Sequence, residues 1–217
     1  MKGDVVVVED HHRRAAAQIA KHMIDAIHRK DGRFLVTVAG ESGSGKSETA
    51  AALAEQLLLL SVYPIVLGQD DYFVLPPKTN DARRRADPEW LGPHVEVRFD
   101  LLQANVDAAL SGAGAIEKPV IDYNGNSVAT EVVSLEGVKV LIVEGTYVSL
   151  IRRADCRVFI ARDRLETLEH RQRRNRGNEA ADPFIEEVLA IEHKIIAGHR
   201  NLADFVVARD FEVIRPA

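Results

Sequence analysis

The chain has 217 residues, 46% of them hydrophobic and 28% charged, a balance that fills a globular core and excludes a disordered or collagen-like polymer. Its formal net charge of −5 disfavours generic nucleic-acid binding, and no run approaches the ~18 apolar residues of a membrane span. The single Cys156 forms no intrachain disulfide and four valines between Asp4 and Glu9 make no signal peptide, so a cytoplasmic protein is expected.

Ala16, Ile19, Ala20, Met23, Ala26 and Ile27 recur at three- and four-residue steps, which predicts an amphipathic helix capped by Asp10 and closed by Gly32. Arg33–Ala39 is almost entirely apolar and β-rich, as in a strand buried on both faces. A helix is expected from Lys46 to Leu60, then a second buried strand at Ile65–Gly68. Residues 70–97 are polar and rich in proline, and predict a long loop on the acceptor side of a site. Asp100 is expected to cap a helix to about Ser111. Ile116–Asp122 and Val128–Leu135 flank Asn124-Gly125-Asn126 and predict a hairpin over 116–135. Strands are expected at Lys139–Val143, Arg157–Ala161 and Phe205–Ala208, separated by a short helix after Thr146 and by helices at Arg164–Arg174 and Pro183–His199. Alternating strands and helices imply an α/β fold with a five-stranded parallel sheet covered on both faces. At roughly 150 residues per domain, one unit over 1–217 is expected, without room for a second full domain.

Gly40-Glu41-Ser42-Gly43-Ser44-Gly45-Lys46-Ser47 matches the phosphate-loop pattern G-x-x-x-x-G-K-[ST] in full. A buried strand runs in and a helix runs out, as the chemistry requires. Glycines let successive N–H groups converge on phosphate oxygens, and the helix adds the positive end of its dipole. Lys46 would reach the outer phosphates and Ser47 would ligate Mg²⁺; Glu48 is counted with the nucleotide-binding group. The guanine motif N-K-x-D is absent, which weighs against a GTPase. Leu110-Ser111-Gly112-Ala113-Gly114 follows a predicted helix instead of opening one, so its glycines read as a C-cap, not a transporter signature.

Further landmarks follow in order: Gln69-Asp70-Asp71-Tyr72-Phe73, Pro119-Val120-Ile121-Asp122, Val143-Glu144-Gly145, Arg171 to Arg176-Gly177 and Ala203-Asp204. With the phosphate loop, they resemble the uridine kinase-like group of P-loop kinases, which includes phosphoribulokinase and bacterial pantothenate kinase. The resemblance runs from about Phe34 to Val207. It implies a P-loop NTPase fold with a small hairpin and an arginine-rich lid at about 171–183, with ATP and Mg²⁺ as cofactors. In the roles it implies, Asp70 activates the attacking hydroxyl and helps hold the metal, and Ser47 and Glu144 serve the metal. Lys46, Arg171 and Arg176 then stabilise charge on the transferred phosphoryl group. Asp71 competes with Asp70 for the first role. Residues 152–176 carry nine arginines against four acids, a local surplus that fits a phosphate partner.

The residues that read a pyrimidine in this group are replaced by Ile121 and Asn126, and its ribose-clasping aspartate falls near His94, with Asp87 and Glu96 as stand-ins. Uridine specificity is therefore not expected. Arg83-Arg84-Arg85 reads either as an anion-binding cluster or as a solvated basic turn. His11-His12 lacks companion zinc ligands, Trp90 reads as a packing anchor, and Cys156 as a buried small hydrophobe. The expected activity is phosphoryl transfer from ATP to an alcohol of a small nucleoside-, sugar- or pantothenate-like acceptor, with no nucleic-acid or membrane partner and a homo-oligomer left open. A non-catalytic ATP-binding module and a stand-alone ATPase stay open beside it.

Overall fold

Each expected strand is found within one or two residues of its predicted place in the computed structural model, which describes residues 2–3, 5–162 and 182–216. The one expected to be buried at Ile65–Gly68, however, is a sheet-edge strand in which only Leu67 is buried. The chain runs α1 (Asp10–Arg29), β1 (Phe34–Gly40), α2 (Lys46–Leu59) and β2 (Pro64–Gly68), then a 3₁₀ turn at Gln69–Tyr72. It continues through α3 (Pro77–Ala86), α4 (Phe99–Leu110), the hairpin strands β3 (Ala115–Asp122) and β4 (Ser127–Ser134), and β5 (Val140–Gly145). After β6 (Cys156–Ile160) the described chain resumes with α5 (Pro183–Ile196), β7 (Phe205–Val207) and β8 (Val213–Ile214).

The main sheet has the order β2-β5-β1-β6-β7-β8. The first five strands are parallel, and β8 adds a sixth, antiparallel to β7, which corrects the expected count of five. Alternation along each strand divides the core in two. Val36 and Val38 of β1 and Ile142 of β5 face Ile19, Met23, Ile27, Leu53 and Leu57 of α1 and α2. Leu35, Leu141 and Val143 face the other way, onto Leu102 and Val106 of α4, Tyr147 and Ile196. Arg33, just before β1, ties this second layer to the hairpin. Its guanidinium donates to the carbonyls of Ala109 (2.6 Å), Ala113 (2.9 Å), Leu135 (2.8 Å) and Val138 (3.2 Å).

Three local expectations are corrected. Residues 70–97 are not an irregular loop: they contain α3 and a 3₁₀ turn at Pro88–Trp90. Glu9, not Asp10, caps α1, because its carboxylate accepts from the His12 backbone while His12 Nδ1 accepts from Glu9 N–H at 3.1 Å. Arg98 is the N-cap residue of α4, and Asp100 lies in its first turn, where its charge suits the helix dipole. The glycine-rich stretch after Leu110 does end a helix as expected, with Gly112 at φ 95°.

Candidate active site

Gly40 ends β1 and Lys46 begins α2, so the phosphate loop joins the central strand directly to a helix N-terminus. Gly45 stands at the helix entrance with φ 98°, a left-handed conformation in which a side chain would be strained. Lys46 is buried and its Nζ donates to the Glu41 carbonyl at 2.9 Å. Glu48 is buried on α2 and does not line the cleft described below.

The two neighbouring strands bring carboxylates to the same end of the sheet. Glu144 of β5 accepts from Ser47 Oγ at 3.2 Å. Gly145 lets β5 press against the turn that follows β2: a Cβ there would lie 2.3 Å from Gln69 Cβ, and Gln69 Oε1 accepts from Tyr147 N–H at 2.8 Å. That contact fixes where Asp70, the next residue, enters the cleft. Asp71 faces elsewhere. Its Oδ2 pairs with Lys118 at 2.7 Å and its Oδ1 accepts from Ile121 N–H at 3.1 Å, so it fastens the hairpin. Geometry thus separates two adjacent aspartates that their sequence positions leave in competition.

Burial first, then the Asp70 carboxylate, push the Glu144 carboxyl up to about 7, against the opposing pull of Lys46 and the Ser47 hydrogen bond. A folded value above the ordinary 4.5 means that this stabilising contribution is complete below about pH 4.5 and is lost as pH rises through about 7. Metal-free wild type should therefore lose more melting temperature between about pH 5 and 8 than Glu144→Gln does. Parallel melting curves for the two proteins would contradict this origin of the shift.

A cleft of about 430 Å³ extends from Ser42, Gly43 and Asp70 to α3 and α5. Arg84 lines it, half-buried between two carboxylates: Nε donates to Glu96 at 2.7 Å, and Nη2 lies 3.9 Å from Glu192. Arg85 is held by Asp81 and Asp182, and Arg83 by Asp87. The arginine triplet lies on α3 and each member already has a carboxylate; Arg83 and Arg85 are exposed, as in a solvated basic segment, and only Arg84 turns inward. Trp90 anchors the segment as expected: its Nε1 donates to the buried Asn80 at 2.8 Å while the Arg83 guanidinium lies over its ring.

Of the candidate ribose contacts, Glu96 lines the cleft but is taken up by Arg84 and Asn80. Asp87 caps a 3₁₀ turn through Glu89 N–H, and His94 packs on Phe99. Ile121 is fully buried, and Asn126 accepts from the Lys78 backbone N–H at 2.9 Å, holding the hairpin tip against α3. Arg171 and Arg176, like the helix expected at Arg164–Arg174, lie outside the described residues. Of the proposed lid, only its end is described, where Asp182 caps α5 by accepting from Phe184 N–H. Sequence reasoning missed Glu192, which accepts from Ser42 Oγ at 2.9 Å. A signal was there: Val188, Glu192 and Ile196 share one buried stripe of α5, so a carboxylate occupies a core position. His11 and His12 come close to Glu9, but that group forms the α1 cap and ring contacts with Phe211.

A phosphate loop on the central strand, with carboxylates at the ends of the next two, defines a nucleotide-binding protein of the P-loop class. The profile of the phosphoribulokinase/uridine kinase family matches residues 35–196, and the chain belongs to that family. It is 30% identical over 194 residues to the bifunctional alpha-galactosidase/sucrose kinase AgaSK of Mediterraneibacter gnavus, a match covering 84% of this chain and 21% of that protein. It is 28% identical over 189 residues to a uridine kinase of Latilactobacillus sakei subsp. sakei, covering 82% of this chain and 87% of that one. The D-glycerate 3-kinase of Cryptococcus neoformans var. grubii shares the fold, with a TM-score of 0.63 at 14% identity over 95% of this chain and 98% of that one. The chain is a P-loop small-molecule kinase that transfers a phosphoryl group from ATP to a small metabolite, and the non-catalytic reading is not favoured. No helix among the described residues is long and apolar enough to cross a membrane.

Proposed function

We propose that the acceptor is a neutral, polyhydroxylated molecule, a sugar in preference to a nucleoside, and that the whole chain works as one cytoplasmic kinase unit. The observation that carries this is the charge of the cleft. Asp70, Asp81, Glu96, Asp182 and Glu192 line it against Lys78, Arg84 and Arg85, and the two arginines are already paired. An anionic acceptor would enter a site with surplus negative charge and few uncommitted donors. A nucleoside is disfavoured because Ile121 is buried away from the cleft and Asn126 is occupied with α3. The sucrose kinase named among the relatives agrees with a sugar-type acceptor.

In this reading the loop amides and Lys46 hold the phosphates, and Asp70 takes the proton of the acceptor hydroxyl. Ser47 and Glu144, with Asp70 beside them, form a set of hard oxygen donors that fits Mg²⁺. Bound there, Mg²⁺ would neutralise charge on the phosphates. Arg171 and Arg176 are proposed to add positive charge over the transferred group.

The test is a phosphorylation panel with mass detection, offering sucrose, fructose, uridine, pantothenate and glycerate. A phosphorylated neutral sugar is expected. Turnover confined to glycerate or pantothenate would overturn the charge reading, and turnover confined to uridine would restore the nucleoside.

A further inference from the structure

Helix α5 meets the phosphate loop through two consecutive side chains. Glu192 Oε2 accepts from Ser42 Oγ at 2.9 Å, and His193 Nδ1 lies 2.6 Å from Glu41 Oε1. The second oxygen of Glu192 faces Arg84 Nη2 at 3.9 Å. Arg84 donates in turn to Glu96, which is 0% exposed and also accepts from Asn80 Nδ2 at 3.1 Å. Arg84 and Asn80 both belong to α3 and both line the cleft. A chain of polar contacts, partly or wholly buried, therefore runs from the phosphate loop to the helix that walls the cleft.

This chain is not electrically balanced. Two buried carboxylates share one guanidinium, so Glu192 leans on the Ser42 hydroxyl and on the field of Lys46 as well. Burial and Glu96 favour its protonated form, while Arg84, Ser42 and Lys46 oppose them. Nucleotide phosphates act on two of these supports at once. Lys46 now donates to the Glu41 carbonyl; bound phosphates would draw it away and neutralise its charge, and would engage the loop that carries Ser42. Whether Glu192 then leans on Arg84 alone or takes up a proton, its hold on Arg84 changes, and a close-packed polar cluster answers such a change by moving between discrete arrangements.

We propose that Glu192 is a positioning residue that transmits nucleotide occupancy of the phosphate loop to α3, so that ATP prepares the acceptor wall. The inference rests on the kinase reading of the cleft and adds a direction of communication to it. It is tested without any acceptor, by amide hydrogen exchange of the full chain with and without a non-hydrolysable ATP analogue and Mg²⁺.

In wild type, the nucleotide should slow exchange at residues 40–47 and also in α3, by at least about fivefold in the helix. In Glu192→Gln the α3 response should vanish while protection at 40–47 persists. Glu192→Asp keeps the charge beside Arg84 but shortens the reach to Ser42 and should give the same result, so it carries the test alone if Glu192→Gln does not fold. An α3 unaffected in wild type, or slowed equally in the variants, overturns the proposal. Failure of the nucleotide to protect residues 40–47 in wild type overturns the kinase reading beneath it.

Discussion

Asp70→Asn is expected to lower kcat by about 10²–10⁴-fold, the range for losing a positioned general base, with nucleotide affinity retained. The amide matches the carboxylate in shape, so the turn at Gln69–Tyr72 and the Gln69–Tyr147 contact survive. What it cannot do is take a proton from the acceptor hydroxyl. Asp71→Asn is the control one residue away. It loosens the buried pair with Lys118, so its effect should appear in melting temperature, with kcat of the folded fraction close to wild type. Steady-state kinetics against nucleotide titration separate the two variants. An Asp70→Asn enzyme at wild-type kcat would remove the base from the mechanism.

The second large effect is on stability. Arg84→Ala leaves Glu96 and Glu192 buried without their shared cation, and breaking such a pair from one side costs about 3–5 kcal/mol. For a chain of this size that corresponds to a fall in Tm of roughly 6–20 °C. Its side chain is only 16% exposed, so water offers little compensation. Adding Glu96→Gln should recover part of the loss, because one of the stranded charges is then gone. A thermal melt of Arg84→Ala that overlays wild type would show that the two carboxylates need no cation.

These two residues also mark how far the sequence could be read. Strands β1, β5 and β6 are legible because burial on both faces leaves them mostly apolar, and the phosphate loop because its chemistry tolerates few alternatives. Helix α3 was hidden. Its ten residues include three arginines and bury only Asn80, so no apolar stripe announces it. Proline at its start and the Arg85–Asp81 pair one turn apart support it instead. Strand β8 is two residues long, below what any pattern can register. Asp70 and Asp71 are equivalent as letters, and only the partner across the fold, Lys118 on the hairpin, tells them apart. Glu192 was missed because its partners Ser42 and Arg84 are distant along the chain, although its place on the apolar stripe was a clue.

The pairing of the central strands has a consequence for how this kinase measures distance. Glu144 is level with Gly68 on one side and with Val38 on the other, so its neighbours Asp70 and the phosphate loop are each carried by an adjacent strand. Strands lie ~4.8 Å apart and advance ~3.3 Å per residue. The gap between the group that would receive the acceptor's proton and the groups that would grip the phosphates is therefore ruled off by backbone hydrogen bonds. Surface loops can lengthen or change composition, and a new acceptor can be fitted by altering α3 or the hairpin tip, without recalibrating the reacting centre.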